Sequence, residues 1–214
     1  GRPLNLQECH ICLPCALNFP YTHFELMSHN RMADFYNERL MQIMPEEYMP
    51  YQWAIALMRY QSGSVYSHIP WALKYNGNIS VGKHFAERLL YIIKRAPWLA
   101  DVDMIIPVPV HRKRRFHRGY TQAEIIANRL GNLWGVRVSN SFLRKKKYTI
   151  SQVKVDTSFR QANISGSFEV AQQFISEFAQ VRHILLVDDV FTTGSTLAEC
   201  HKTIRSALNR TIPI

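Results

Sequence analysis

The sequence is 214 residues long with a mass of 24.9 kDa, which suits one ordinary domain and a small appendage. Hydrophobic residues make up 47% and charged residues 20%, so a disordered chain and a collagen-like repeat are excluded. No run of about 18 apolar residues occurs, which excludes a membrane-spanning helix. The amino end also lacks the residue order of a secretory signal. We therefore expect a soluble, cytoplasmic protein without membrane insertion.

The positive charge is concentrated in two short segments. Lysine and arginine total 26 against 16 aspartate and glutamate residues, a net charge of +10. Residues 111–118 and 144–147 hold nine of these cations and no acid, so the rest of the chain is nearly neutral. A local excess of this kind favours anionic partners, either a phosphorylated small molecule or nucleic acid. The alternative is a pair of solvated basic loops.

Three cysteines near the amino end have the spacing of metal ligands. Cys9, Cys12 and Cys15 follow the C-x2-C pattern, in which two thiolates can reach one tetrahedral zinc ion. The two pairs share Cys12 and the sequence has no separate second pair, so we predict half of a zinc knuckle with an incomplete site. Cys200 belongs to a helical apolar pattern and is predicted to be a core thiol. The chain lacks an initial methionine and stops abruptly, and we expect truncation at both ends.

The first half of the chain predicts a connector, a strand and two helices, in that order. Residues 19–50 are polar and dotted with aromatic side chains, which indicates a connector. Residues 52–60 predict a strand, and residues 65–73 have apolar side chains at helical spacing. A turn signal follows, and then a second amphipathic helix around Phe85.

Strands and helices alternate in the second half. Residues 104–108 form an apolar run typical of a buried parallel strand, and residues 136–142 and 183–187 predict two more strands. Between the first two, Thr121 and Glu124 have the T-x-x-E spacing of a capping box, which predicts a helix start. Helices between short apolar strands favour an α/β fold with a parallel sheet.

The most informative stretch follows the last predicted strand. Asp188 and Asp189 come directly after it, and several hydroxyl residues and Gly194 precede a helix. Ligands of open parallel sheets bind at the carboxyl ends of strands, and helix starts hold phosphate. We predict a monophosphate site, where Gly194 lets the backbone approach oxygen or takes a positive φ and the acids contact sugar hydroxyls or a metal. The alternative is a surface turn with an ordinary cap; the P-loop pattern is absent.

This stretch resembles the phosphoribosyl-pyrophosphate-binding motif of type I phosphoribosyltransferases. The resemblance implies that Asp188 and Asp189 are the catalytic pair and hold the ribose hydroxyls. It also implies a loop for the 5′-phosphate, made of Thr192, Thr193, Gly194, Ser195 and Thr196.

The chain as a whole is similar to the ComF/GntX family, phosphoribosyltransferase-like proteins linked to DNA uptake and competence. The family's motifs stand in the right order as Lys74-Tyr75-Asn76-Gly77, Pro107-Val108-Pro109-Val110-His111-Arg112, Arg118-Gly119-Tyr120-Thr121-Gln122-Ala123-Glu124, Thr149, Gln152, Arg160, Asn163, Gly166 and Phe168. The resemblance implies a type I phosphoribosyltransferase fold, with a mainly parallel sheet flanked by helices, a small hood and an N-terminal zinc-knuckle remnant. It divides the chain into a remnant and connector at 1–45 and a phosphoribosyltransferase-like domain at 46–214.

Four basic residues are implied as pyrophosphate ligands. Arg112 and Arg118 lie in the predicted loop after the first parallel strand, and Lys74 reaches in from the hood. Arg160 lies in the long polar segment 145–163, which would close over the substrate as a lid. The alternatives are solvated cations and, for Arg160, a bond to backbone carbonyls at the base of the loop.

The resemblance also implies cofactors and a reaction. Mg²⁺ would accompany phosphoribosyl pyrophosphate. Zn²⁺ would bind in a full-length protein, because family members start with two C-x2-C pairs and the first is missing here. The implied reaction transfers the phosphoribosyl group to an unidentified nitrogen acceptor in the hood, where Tyr60, Tyr66 or Trp71 could stack on its ring.

The second hypothesis is a binding module without catalysis. It would sense phosphoribosyl pyrophosphate, or bind single-stranded DNA together with a helicase-like competence protein. Phe116, Tyr120 and Tyr148 lie among the cations and are suited to stacking on exposed bases. A purely regulatory relative is the third hypothesis, although the sequence has no helix-turn-helix pattern.

Overall fold

The computed structural model describes residues 3–6, 8–75, 79–146 and 164–214, without the side chains of 75, 114, 117 and 118. The α-helices are α1 (Leu13–Leu17), α2 (Arg31–Ile43), α3 (His68–Tyr75), α4 (Ile79–Ile93), α5 (Arg112–Arg118), α6 (Gln122–Trp134) and α7 (Ser195–Leu208). The strands are β1 (Met104–Pro107), β2 (Arg137–Val138), β3 (Leu143–Lys145), β4 (Phe168–Val170) and β5 (Ile184–Val187). Short 3-10 helices lie at Phe24–Leu26, Val65–Ser67, Pro97–Leu99 and Gln172–Phe178.

The central sheet is parallel, with the strand order β2-β1-β5. Met104 of the central strand pairs with Arg137 on one side and with Ile184 on the other. Every residue of β1 is buried, as expected for a strand that is covered on both faces. A separate antiparallel pair joins β3 to β4. The α/β class that the alternating elements predict is confirmed.

Each face of the sheet has its own core, because successive side chains of a strand point to opposite faces. On one face, Met104 and Ile106 pack with α7 and with the β3–β4 pair. Cys200 of α7 is buried in this core as a free thiol, as predicted. On the other face, Ile105 packs with α4 and α6. The carboxyl ends of β1 and β5 are thus held between two packed layers.

The other predicted elements of the second half are present to different extents. The strand predicted at 136–142 forms only at β2. Helix α6 begins as the capping box predicts, since the Thr121 hydroxyl accepts a hydrogen bond from the Glu124 amide at 3.1 Å. The Glu124 carboxylate pairs with Arg115, whose Nη1 is 3.2 Å away.

The helices predicted in the first half are also present. The one over residues 65–73 is a 3-10 turn that continues into α3, and the one around Phe85 is α4. Helix α4 buries Phe85 and Ile93 on one stripe, as its spacing predicts. Within the described ranges, no helix has the length and apolar character needed to cross a bilayer.

The strand predicted at residues 52–60 is wrong. Among the described residues, this segment makes only an isolated bridge to the chain before α2. Side chains take its carbonyl groups instead: Asn30 Nδ2 donates to the Ala54 carbonyl at 2.9 Å, and the Thr22 hydroxyl donates to the Ala56 carbonyl. Bonded in this way, the segment joins neither of the sheets that the described residues form.

The connector predicted at residues 19–50 is wrong over α2. The Asn30 side chain caps this helix by accepting hydrogen bonds from two first-turn amides, each at 3.1 Å. Tyr36 and Leu40 are buried in a cluster with Ala198 of α7. Helix α2 of the first predicted domain therefore packs directly on a helix of the second, and the division between 45 and 46 stays a prediction.

Candidate functional site

The candidate site lies where β1 and β5 end side by side. Pro107, the last residue of β1, pairs in register with Val187, the last residue of β5. The chain therefore leaves both strands at the same edge of the sheet, which is where open parallel sheets bind their ligands. Asp188 and Asp189, here called the acid doublet, follow β5, and the basic segment 111–118 follows β1. The fold brings the predicted acidic and basic segments to one edge.

The two carboxyl groups of the acid doublet differ in their surroundings. The Asp189 backbone amide donates to Asp188 Oδ1 at 2.8 Å. Burial, and next the negative charge of Asp189, raise the pKa of Asp188 to about 8. Asp188 therefore keeps its proton to a higher pH than an ordinary carboxyl group does.

Lys74, from the last turn of α3, faces the doublet. Its Nζ lies 3.0 Å from Asp189 Oδ2, and its side chain is 31% exposed. The contact lacks hydrogen-bond geometry, and Asp189 Oδ2 is buried without a hydrogen-bond partner in the described part of the chain. The structure thus places Lys74 on the acid doublet, and its predicted contact with pyrophosphate stays a prediction. A ligand with hydroxyl groups would give Asp189 Oδ2 the donor that it lacks.

The predicted phosphate loop ends at the first turn of α7. Gly194 has a φ of 69°, so the positive φ considered for it is confirmed. The hydroxyl groups of Thr193 and Ser195 lie 3.0 Å apart, while Thr192 is exposed and Thr196 is half-buried. No described side chain caps the first amides of α7. A helix start of this kind suits an anion, because its amides and the helix dipole both favour negative charge.

The segment predicted as a pyrophosphate loop is wrong over residues 112–118, which form helix α5. His111 caps this helix, with its Nδ1 accepting from the Lys113 amide at 3.3 Å. Gly119, with a φ of 73°, ends it. Both residues are local helix signals that the sequence contains. Arg112 lies exposed in the first turn, so it stands at the end of α5 that is nearest to β1 along the chain.

Two of the predicted pyrophosphate ligands cannot be placed. The side chain of Arg118 is not described, and Arg160 lies outside the described residues. The lid predicted at 145–163 also lies outside them, apart from Lys145 and Lys146. The roles of these residues stay predictions.

The cysteines near the amino end do not fit a zinc site. Cys9 is exposed, Cys12 is buried next to α1, and Cys15 is half-buried within α1, all as free thiols. In the described part of the chain, no three His, Cys, Asp or Glu side chains are grouped closely enough to hold a metal ion. A structural zinc site needs four ligands around one point, and these residues do not supply them.

The acid doublet fits Mg²⁺ only in combination with a ligand. Carboxylates are the ligand type that Mg²⁺ prefers, but no third metal-ligating side chain joins the doublet among the described residues. Mg²⁺ in proteins commonly keeps several waters and takes phosphate oxygens from the substrate. Asp188 and Asp189 would therefore share the ion with a bound pyrophosphate compound.

A large apolar cavity opens beside the acid doublet. Its volume is about 480 Å³, and its wall includes Leu73, Val81, Phe85 and Leu185 as well as the doublet itself. The segment 55–60, whose strand prediction was wrong, forms another side of the wall. The edge of the sheet thus offers an apolar space next to two carboxyl groups.

The aromatic residues predicted to stack on an acceptor ring separate in the structure. Tyr60 lines the cavity. Tyr66 instead packs edge-on against Phe19, and its hydroxyl donates to the Asn18 carbonyl at 2.8 Å. Trp71 is half-exposed and is not part of the cavity wall. Of the three, only Tyr60 is placed to contact a ligand in the cavity.

Sequence reasoning missed two neighbours of the phosphate loop. A β-carbon at position 194 would lie 3.1 Å from Phe191 Cζ and 3.8 Å from Tyr36 Cα. Tyr36 belongs to α2, where the buried residues Ala33, Tyr36 and Leu40 have the spacing of a helix face. That spacing is the sequence signal for a buried helix face in α2, and the polar residues around it obscure the pattern.

Comparisons with known proteins give the chain its relatives. It is 36% identical to competence protein F of Haemophilus influenzae over 122 residues, 55% of this chain and 52% of that protein. It is 28% identical to the DNA utilization protein YhgH of Escherichia coli O6:H1 over 130 residues, 59% of this chain and 55% of that protein. A Salmonella typhi protein of the same name is 27% identical over 130 residues.

The chain spans about half the length of the curated relatives that it matches. No family model and no solved structure matches it. The names of these relatives nevertheless confirm the resemblance to the ComF family drawn from the sequence. Its similarity to competence protein F and to YhgH supports a ComF family assignment.

Proposed function

We propose that this protein binds 5-phosphoribosyl 1-pyrophosphate with Mg²⁺ and transfers the phosphoribosyl group to a nitrogen acceptor. The observation that carries the proposal is the acid doublet at the end of β5, followed within a few residues by the uncapped start of α7. Sugar hydroxyls and a phosphate on one molecule match these two features. In the proposed fold, that of a type I phosphoribosyltransferase, α3 and the segment before it belong to the hood.

Each part of the site has a separate task in this proposal. Asp189 accepts a hydrogen bond from one ribose hydroxyl, and Asp188 accepts one from the other. The amides at the start of α7 and the hydroxyls of residues 192–196 hold the 5′-phosphate. Arg112 contacts the pyrophosphate from the end of β1, together with Arg118 and Arg160. Before the sugar binds, the positive charge of Lys74 balances the negative charge of the doublet, because its ammonium group lies next to Asp189.

The reaction is a displacement at C1 of the ribose. A bond forms between the acceptor nitrogen and C1 while the bond from C1 to the pyrophosphate oxygen breaks. The pyrophosphate leaves with the electron pair of that bond, and the proton of the acceptor nitrogen passes to water. Bound Mg²⁺ supplies neutralising charge for the leaving group. The protein contributes position and fixed charge, so no side-chain nucleophile is needed.

The names of the relatives suggested the cellular setting of this proposal. Their names refer to competence and to DNA utilization. We extend this to the chain as a role in DNA uptake that is carried out in the cytoplasm. The phosphoribosyl transfer would then act on a compound that this process uses or produces.

Calorimetric titration with phosphoribosyl pyrophosphate and Mg²⁺ tests the proposal. Asp189→Asn is expected to lower the affinity by about tenfold or more, since it removes a charged hydrogen-bond acceptor. Asp101→Asn, which changes an exposed acid outside the site, is expected to bind as the unchanged protein does. Release of pyrophosphate with a panel of nitrogen compounds then tests transfer. Absence of heat with both the unchanged protein and Asp101→Asn would contradict the proposal.

A second candidate function is single-stranded DNA binding, alone or beside a helicase-like competence protein. The observation in its favour is Phe116, which is 88% exposed on α5 among the exposed cations Arg112 and Lys113. Exposed aromatic rings among cations stack on unpaired bases at about 1–3 kcal/mol each. This candidate predicts that Phe116→Ala weakens binding of a fluorescent oligothymidine, whereas Tyr91→Ala, an exposed aromatic on α4, does not. Equal anisotropy curves for the two variants would exclude it.

A further inference from the structure

We propose that the cavity beside the acid doublet binds the acceptor, and that this acceptor is a neutral aromatic ring compound poor in hydrogen-bonding groups. The inference rests on the proposed function, and it names the substrate class of the same site. It is carried by the cavity wall, which is apolar on almost every side. A volume of about 480 Å³ lies in the usual range for small-molecule sites.

The cavity adjoins the acid doublet that would hold the ribose in the proposed reaction. Leu185, Leu186 and Val187 of β5 line it, and the acid doublet follows them in the wall. A ribose held by the doublet would therefore have the cavity at its side. A compound in the cavity is placed to meet the sugar, and a compound elsewhere on this edge is not.

The wall contains several aromatic rings. Phe85 is buried, Phe24 and Phe191 are partly buried, and Phe35 and Tyr60 are more exposed. These rings come from the chain before α3, from α2 and α4, and from the phosphate loop. Rings at several angles around a cavity suit a planar ring, which can stack on one and meet another by its edge.

Few side chains of the wall are polar, and one of them is already occupied. The Thr22 hydroxyl donates to the Ala56 carbonyl, so that group and its partner are both taken. Arg31 and Arg59 also line the cavity, and both are exposed to solvent. A nucleobase has several polar edge groups, and inside this wall most of them would lose their water without gaining a partner.

The acid doublet also selects against charge on the ring. Asp189 is faced by a single ammonium group, that of Lys74. A ring carboxylate placed next to the doublet would meet like charge in an apolar surrounding, which is unfavourable. A neutral ring with one basic nitrogen avoids this, and the same nitrogen is the nucleophile that the reaction needs.

The test compares benzimidazole and indole with purine and hypoxanthine. These probes have nearly the same shape and differ mainly in the number of polar ring groups. Saturation-transfer NMR and calorimetry on the whole chain are expected to give a dissociation constant about tenfold lower for benzimidazole than for hypoxanthine. Ile69→Trp, which fills the cavity from α3, is expected to abolish benzimidazole binding. Tyr91→Trp adds the same indole on α4 outside the cavity and is expected to leave binding unchanged.

The outcomes separate this inference from the proposed function. Asp189→Asn is expected to lose phosphoribosyl pyrophosphate and to keep benzimidazole. If phosphoribosyl pyrophosphate binds and hypoxanthine binds as tightly as benzimidazole, the inference fails and the proposed function stands. If benzimidazole binding survives Ile69→Trp in a variant with an unchanged circular dichroism spectrum, the ring binds elsewhere and the inference fails. If benzimidazole binds in the cavity and phosphoribosyl pyrophosphate does not bind, the proposed function fails.

Discussion

Lys74 Nζ lies 3.0 Å from Asp189 Oδ2, so α3 supplies the cation that faces the acid doublet of β5. The charge of Lys74 also lowers the pKa of Asp188, against the larger effects of burial and of Asp189. Lys74→Met is therefore expected to raise the pKa of Asp188 above its value of about 8. Titration of the side-chain carboxyl signal by carbon-13 NMR measures the shift. Lys94→Met, an exposed lysine after α4, is the control, and a titration that matches it would contradict the prediction.

The pKa of Asp188 predicts a pH dependence of stability. Its value of about 8 lies above the ordinary 3.8, so between these values the folded protein holds a proton that the unfolded chain releases. The free energy of unfolding therefore falls as pH rises, by up to about 1.4 kcal/mol per pH unit. Urea unfolding from pH 6.5 to 8 is expected to show this fall, and Asp188→Asn to flatten it. A slope that survives Asp188→Asn would assign the proton to another group.

His201 gives the opposite slope below that range. Burial, and next the charge of Arg205, lower its pKa from 6.5 to about 3. The unfolded chain then binds the extra proton, so the contribution of His201 to stability falls as pH drops below about 6.5. Between about pH 4 and 6.5 this effect cancels that of Asp188, so the two groups together predict a stability that is flat in this range and falls above it, which thermal unfolding across pH 4 to 9 would show. A stability that keeps rising as pH drops from 6.5 to 4 would mean that His201 is protonated in the folded protein.

The Tyr36 hydroxyl lies 3.0 Å from His201 Nδ1, and both residues are buried. In the described part of the chain, His201 Nε2 has no hydrogen-bond partner, so this contact is the one that its ring makes. Tyr36→Phe is expected to lower the free energy of unfolding by about 1–3 kcal/mol, because it leaves a buried imidazole without a partner. Tyr48→Phe removes the hydroxyl of an exposed tyrosine and is expected to change nothing. Equal urea midpoints for the two variants would refute the argument.

Gly194 allows a comparison of two glycines with the same backbone. Gly194 and Gly135 have φ angles of 69° and 76°, but only a β-carbon at 194 would have neighbours, with Phe191 at 3.1 Å. Both alanine variants are expected to lose about 1–2 kcal/mol of stability from the left-handed conformation. Gly194→Ala is expected to lose more, and also to weaken phosphate binding at the start of α7. Similar phosphate affinity in the two variants would show that the loop does not hold the anion.

The sequence predicted the parts of the fold that depend on local pattern. The buried runs of β1 and β5, the cap at Thr121 and the positive φ of Gly194 each need only neighbouring residues to be recognised. Their order also placed the acid doublet at the edge of the sheet. Helix α5 was predicted as a loop, although its cap at His111 and its end at Gly119 are local signals of a helix. The segment was interpreted from its charge and not from these two signals.

The parts that failed depend on distant partners. Residues 52–60 have the composition of a strand, but Asn30 and Thr22 take carbonyl groups that a strand would need. Helix α2 is stable because α7 covers its narrow buried face, and no local sequence pattern predicts that contact. The pairing of Lys74 with Asp189 likewise joins residues that are far apart in the chain. The sequence therefore predicted a role for Lys74 at the site but did not predict its contact with Asp189.

Phe191 is shared by two binding places. Phe191 lines the cavity, and its ring also lies next to Gly194. It also packs against the cluster that holds Tyr36 and Leu40. An occupant of the cavity and an anion at α7 would thus both lie near this side chain. If binding of one ligand changes the affinity for the other through Phe191, the second ligand must change the affinity for the first by the same factor. The two binding equilibria would then be thermodynamically linked through a single side chain.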